Sequence, residues 1–166
     1  LLDQFEFVFW IDADAIVVDI DRSMLDVVDE HSDIWFARHL QKRNPSASIL
    51  NSGVFLARSC GFTQDLLSEV WAAEAFIHHN WWENAALLDL LGYSLEPPYQ
   101  QLSATPWNDR IGELGLDWNS VPGYCECEHP AVNHHARSDH DNFDRRMADL
   151  AADLESARRR FPAAFG

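Results

Sequence analysis

Basic residues are scarce: 12 Lys and Arg stand against 27 Asp and Glu, a formal charge of −15. A nucleic-acid surface neutralises phosphates with clustered Lys and Arg, so the shortage argues against DNA or RNA as a partner. It leaves room for a nucleotide diphosphate, whose charge a bound divalent cation can offset where the protein cannot. Excess acid is equally what a merely soluble domain carries. Long apolar runs are also missing. Nothing approaches the roughly 20 residues of a membrane helix, and the start lacks the charged-then-apolar layout of a signal peptide, so no membrane span is expected in this chain. Cysteine is sparse: Cys60, Cys125 and Cys127 make no even framework, and the last two are too close for an ordinary disulfide, usage that fits a reducing compartment. Internal repeats and low-complexity linkers are absent.

What is present suffices for a core. With 47% hydrophobic and 12% aromatic residues over 166 positions, the chain has the size and composition of one domain. It begins at Leu1 and runs straight into an apolar segment, so a fragment of a longer protein is expected. Phe5 to Ile11 is aromatic and β-branched, the makeup of a buried strand, and stops at Asp12-Ala13-Asp14. Ala15 to Val18 can continue that strand or open a turn. Asp21 and Ser23 offer caps for a short helix over Met24–Val28, and Ile34 to Ala37 reads as another short strand. Gln41 to Ser48 reads as a polar loop, after which an Asn51-Ser52-Gly53 turn feeds the strand Val54 to Ala57. Helices are expected from Thr63, as cap, to His78, from Glu83 to Leu91 closed by Gly92, and from Asp141 to Arg160. Between Pro97 and Pro130 the lack of period predicts a long structured loop with short strands, a length that hints at a binding surface.

Asp12 and Asp14 are the first chemical signal. Alternate side chains on a regular strand point to opposite faces, but a turn at its end can aim both at one hard cation. Oxygen ligands suit magnesium or manganese. Asp-x-Asp also arises by chance in acidic chains, where it only caps a loop, so its surroundings decide. Phe7 to Ala15 resembles the strand and Asp-x-Asp of metal-dependent glycosyltransferases with the GT-A fold. Three more blocks follow in the order of that fold: Asn51-Ser52-Gly53-Val54-Phe55-Leu56-Ala57-Arg58, Trp81-Trp82-Glu83-Asn84-Ala85-Ala86-Leu87, and Val132-Asn133-His134-His135-Ala136-Arg137. Together they resemble the galactosyl- and xylosyltransferases of glycosyltransferase family 34 and, more distantly, the glycogenin-like family 8, across residues 5–140.

The resemblance implies an α/β fold of GT-A type, a Rossmann-like mixed sheet flanked by helices. Residues 1–166 would form the C-terminal catalytic part of a single GT-A domain, with the N-terminal nucleotide-binding part missing. It implies that Asp12, Asp14 and His134 hold Mn2+ or Mg2+. His135 is the alternative to His134, because Arg137 stands where the family's His-x-x-Gly pattern has glycine. An arginine there can instead meet the donor phosphates. Asn51, Ser52 and Gly53 correspond to the turn that approaches the sugar: glycine permits close backbone approach, and Asn51 both donates and accepts. Trp82, Glu83 and Asn84 correspond to the segment facing the transferred sugar, with Asn84 in place of the usual Gln, and Glu83 joins Asp12 and Asp14 as a catalytic candidate. Trp81 and Trp82 offer flat faces to a sugar ring, or are core residues.

The implied reaction moves a hexose or pentose from a nucleoside-diphosphate sugar to a saccharide or glycan hydroxyl, with retention. The alternative is a noncatalytic carbohydrate-binding module or degenerate transferase, and a metal-dependent hydrolase is a third reading. Cys125, Cys127, His129, His134 and His135 contain enough ligands for zinc, but Cys-x-Cys is a poor match to structural zinc spacing. Such enzymes face the cytoplasm in bacteria or the Golgi lumen in eukaryotes.

Overall fold

Apolar side chains alternate sides along two neighbouring strands, giving this protein a sheet with two faces to bury. The computed structural model describes residues 1–41, 44–136 and 143–165. Strands β1 (Phe7–Ile11), β2 (Ala15–Val17), β3 (Ile34–Gln41), β4 (Asn44–Arg58), β5 (Ile111–Leu114) and β6 (Val132–His134) are joined by helices α1 (Gly61–Ala72), α2 (Trp82–Leu90) and α3 (Phe143–Arg160). The main sheet runs β1-β4-β3-β5 and is mixed, antiparallel except where β5 lies parallel to β3. β2 and β6 form a separate antiparallel ribbon.

Ile34, Phe36, Leu50 and Ala57 face Leu66 of α1 and Leu87 and Leu88 of α2. Trp35, Ala37, Val54 and Leu56 face the other way, against Leu114, Trp118 and Val132, with Phe7 and Phe9 half-buried beside them. Each large apolar side chain buried this way contributes about 1.5–3 kcal/mol. The result is the expected α/β class. No described helix is long and apolar enough to cross a membrane.

Several local expectations are corrected. Asn44 to Ser48 is strand and not loop: it pairs with β3 down to Gln41 opposite Asn44, and Pro45 is tolerated near the strand's start. Asn51-Ser52-Gly53 is not a turn but an irregularity inside β4, where Phe36 faces Phe55 while Ala37 faces Asn51, leaving Ser52, Gly53 and Val54 without partners on β3. β1 is a half-buried edge strand with Trp10 49% exposed. Ala15–Val17 neither extends β1 nor turns; it opens the second ribbon. The cap of α1 is Cys60, its last residue is Ala72, and a 3-10 turn at Glu74–Phe76 follows. Thr63 lies within α1 and donates to the Asp33 carbonyl at 3.3 Å. Gly92 has φ of 77°, the left-handed conformation expected of it. Ser23 caps a 3-10 turn over Met24–Val27. Asp141 and Asn142, where the last helix was expected to begin, lie outside the described residues.

Asp33 fastens the start of β3. Its buried carboxylate accepts Arg110 Nε at 2.7 Å and lies 3.5 Å from Arg58 Nε. The Arg110 hydrogen bond holds that carboxyl below its ordinary 3.8. A depressed folded-state pKa means stability fully present above the unfolded value and lost as pH falls through the folded one. Asp33→Asn should therefore lower the melting temperature at neutral pH, by a loss of roughly 1–3 kcal/mol. The gap from the parent should close as the medium is acidified below the carboxylate range, read by melting curves against pH.

Candidate metal centre

β1 ends where the backbone N–H of Asp12 reaches the carbonyl of Gly53, at 2.8 Å, in the irregular stretch of β4. The chain then turns, with Ala15 N–H bonding the Asp12 carbonyl, and enters β2. On the far side His135 N–H bonds the Asp14 carbonyl at 2.9 Å, and Ala15 pairs with His134. Asp12-Ala13-Asp14 thus bridges the two sheets, fixed at both ends by backbone bonds. Leaving the strand frees the two carboxylates from the alternation that would have parted them.

His134 completes the group. Its Nε2 is 3.3 Å from Asp14 Oδ1 and 3.8 Å from Asp12 Oδ2, and one ligand atom from each of the three residues lies within 4.8 Å of the others. The neighbouring His135 turns away, pairing its Nε2 with Asp153 of α3 at 3.0 Å. Burial is the largest influence on Asp12 and pushes its pKa up. The Trp10 indole N–H, donating to Oδ1 at 3.1 Å, opposes this, while Asp14 and Glu83 add to it by repulsion. Asp14 moves the other way, lowered first by its hydrogen bond with His134. Two crowded carboxylates supply the hard oxygen donors that manganese or magnesium takes, and the imidazole adds a borderline nitrogen to a group able to hold a metal ion.

The β4 irregularity brings the second block of expected residues to this centre. Gly53 packs so closely that a Cβ there would collide with the His134 ring and lie 2.9 Å from Asp12 Oδ2. Ser52 donates its backbone N–H to Asn84 Oδ1 at 2.8 Å and its hydroxyl to Glu83 Oε1 at 3.1 Å. The first turn of α2 is thereby aimed at β4, with the acid where a helix start favours negative charge. Trp82 opens that helix in the left-handed region, φ 41°, and is 63% exposed. Trp81 instead packs beside the core, its ring 5.0 Å from that of Tyr99.

The sequence of this chain matches no family model. It is 38% identical over 72 residues to "Probable glycosyltransferase 7" of Oryza sativa subsp. indica and to the japonica protein of the same name, 41% of this chain and 15% of theirs. The chain is similar to a glycosyltransferase. It spans about 15% of the length of those curated relatives. The apo structure of the bifunctional glycosyltransferase WbbM covers 94% of this chain and 35% of its own, at 13% identity and a TM-score of 0.47, a likeness too loose to place residues.

Three residues at the centre carried no signal in the sequence of this glycosyltransferase-like chain. Asn119, fully buried, joins His134 Nδ1 at 2.9 Å and donates to Asn51 Oδ1 at 2.8 Å. His39, 6% exposed, lies against Asn119, and burial lowers its pKa to about 4, so its imidazole is neutral. Arg146 of α3 places Nη1 3.7 Å from Asp14 Oδ2. Arg137 lies outside the described residues. Of the zinc alternative, Cys125 is buried and His129 exposed, and the group of metal-ligand type found among the described residues is Asp12, Asp14 and His134.

Proposed function

We propose that this chain carries the metal-binding catalytic part of a glycosyltransferase that moves a hexose or pentose from a nucleoside-diphosphate sugar to a saccharide hydroxyl with retention. The observation that supports it most is the convergence of Asp12, Asp14 and His134 beside the Asn51–Gly53 stretch and the start of α2. In this reading residues 1–166 are the C-terminal part of one GT-A domain. Asp12, Asp14 and His134 hold Mn2+ or Mg2+, and the cation, when bound, supplies positive charge for the departing diphosphate.

The protein's own groups do the rest. Breaking the anomeric bond builds positive character on the sugar, and in this reading the exposed Glu83 carboxylate, which accepts the Ser52 hydroxyl, orients its hydroxyls and stabilises that charge. The Asn51 carbonyl is already taken by Gly53 N–H and Asn119, which leaves its NH2 to donate to a sugar oxygen. The open face of Trp82 is free for a sugar ring. Arg146 lies where a diphosphate beside Asp14 would meet a guanidinium.

The deciding experiment uses the full-length protein with manganese, scanned over several nucleotide sugars for donor hydrolysis and transfer. Turnover that vanishes on chelation and returns with manganese supports the transferase. Silence toward every donor, with metal and saccharide still bound, gives the place to a noncatalytic carbohydrate-binding module. Arg146→Ala should raise the donor KM roughly 10–100-fold with a smaller change in kcat, since a charge-assisted bond to phosphate is worth about 1.5–3 kcal/mol.

A further inference from the structure

The hydrogen bonds behind the metal centre have a direction, and it can be followed from a group whose role is fixed. A backbone N–H only donates, and that of Gly53 donates to Asn51 Oδ1 at 2.9 Å. The same oxygen receives Asn119 Nδ2 at 2.8 Å. With its NH2 committed there, Asn119 turns its Oδ1 toward His134 Nδ1, 2.9 Å away. An amide oxygen accepts and cannot donate, so the proton of that bond belongs to Nδ1. His134 Nε2, which faces Asp12 and Asp14, is then the nitrogen that gives its lone pair to a cation when one replaces the proton it shares with Asp14.

We propose that Asn119 is a positioning residue: one carboxamide sets both the His134 tautomer competent to bind a metal and the orientation of the Asn51 side-chain amide. The inference rests on the metal-site reading above. It links the two functions of the centre through a residue that touches neither ligand, because the group that fixes the metal-binding nitrogen is bonded to the group offered to the sugar. Asn119 is itself held by its position beside β6, where Ser120 N–H bonds the Val132 carbonyl and His134 N–H bonds the Ser120 carbonyl. The 3-10 turn over Leu116–Trp118 leads into it.

Two variants separate the arms. Asn119→Leu removes the acceptor at Nδ1, and Asp14 Oδ1 then draws the proton to Nε2. Nitrogen NMR of the metal-free chain at alkaline pH should show His134 protonated on Nδ1 in the parent and on Nε2 in this variant, with manganese affinity down about 10–100-fold by titration. Asn119→Asp keeps an acceptor at Nδ1, so the tautomer and manganese affinity should stay near those of the parent. It places an oxygen against Asn51 Oδ1, however, so Asn51 must turn and the Gly53 N–H loses its acceptor, seen as faster hydrogen exchange at that amide. A Nδ1 proton retained in Asn119→Leu, or manganese binding unchanged there, overturns the proposal. If Asn119→Leu does not fold, Asn119→Asp decides alone, and an undisturbed Gly53 amide is the refuting result. A parent that binds no manganese sinks the metal-site reading instead, while the tautomer comparison still judges Asn119.

Discussion

Asp14→Ala should abolish measurable manganese binding to this chain and lower sugar transfer by the full-length protein about 1,000-fold or more. A cation at a departing diphosphate supplies several kcal/mol of charge stabilisation, and each 1.36 kcal/mol is worth about tenfold in rate. The variant removes more than one ligand's share, because Asp14 also lies 3.3 Å from His134 Nε2 and 3.7 Å from Arg146 Nη1. Its backbone role survives, since the carbonyl that accepts His135 N–H belongs to any residue. Burial and the neighbouring carboxylates Asp14 and Glu83 already push Asp12 toward protonation. Deleting one of the three carboxylates relieves repulsion in the metal-free protein, offsetting the lost contact with His134. The variant should therefore melt close to the parent without metal and lose only the stabilisation that manganese gives the parent. Melting curves with and without manganese, beside transfer assays, read both effects. A variant that keeps manganese-dependent stabilisation would show that the cation sits elsewhere.

What was legible in the sequence follows from how local each signal is. The abrupt end of an aromatic strand at Asp12-Ala13-Asp14, the apolar strand run from Ile34 to Ala37 and the glycine closing α2 all depend on neighbours within a few residues, and the structure displays them. Asn44 to Ser48 looked like loop because its composition is polar, yet hairpin pairing with β3 overrides composition. The Asn51-Ser52-Gly53 block was found for its residue types but given the wrong local form: a turn and a strand irregularity draw on the same residue types, and only register tells them apart. Asn119 and Arg146 were illegible for another reason. Asn119 sits in an aperiodic stretch, and Arg146 is one of two adjacent arginines on a helix, so their value comes wholly from what long-range packing brings beside them.

Gly53→Ala joins the local and the long-range parts of that account. The position needs glycine for space: the added carbon would collide with His134 Cε1 and lie 2.9 Å from Asp12 Oδ2 and 3.0 Å from Asn51 Oδ1. His134 is 2% exposed and tied through Asn119, so its ring cannot swing aside without breaking that bond. Moving the backbone instead would strain the Gly53 carbonyl bond that fixes Asp12. Overpacking of this kind costs about 1–3 kcal/mol. Manganese affinity should fall roughly 100-fold, at the upper end of losses seen when the support of a ligand is disturbed, because two of the three ligands are displaced together. Gly61→Ala is the matched control, since nothing lies within 4 Å of the carbon it adds. Denaturant unfolding and manganese titration of both variants should place Gly61→Ala with the parent and Gly53→Ala below it on both scales. Manganese bound equally well by Gly53→Ala would mean that His134 and Asp12 do not hold the ion from their present positions, whatever the fate of Asp14.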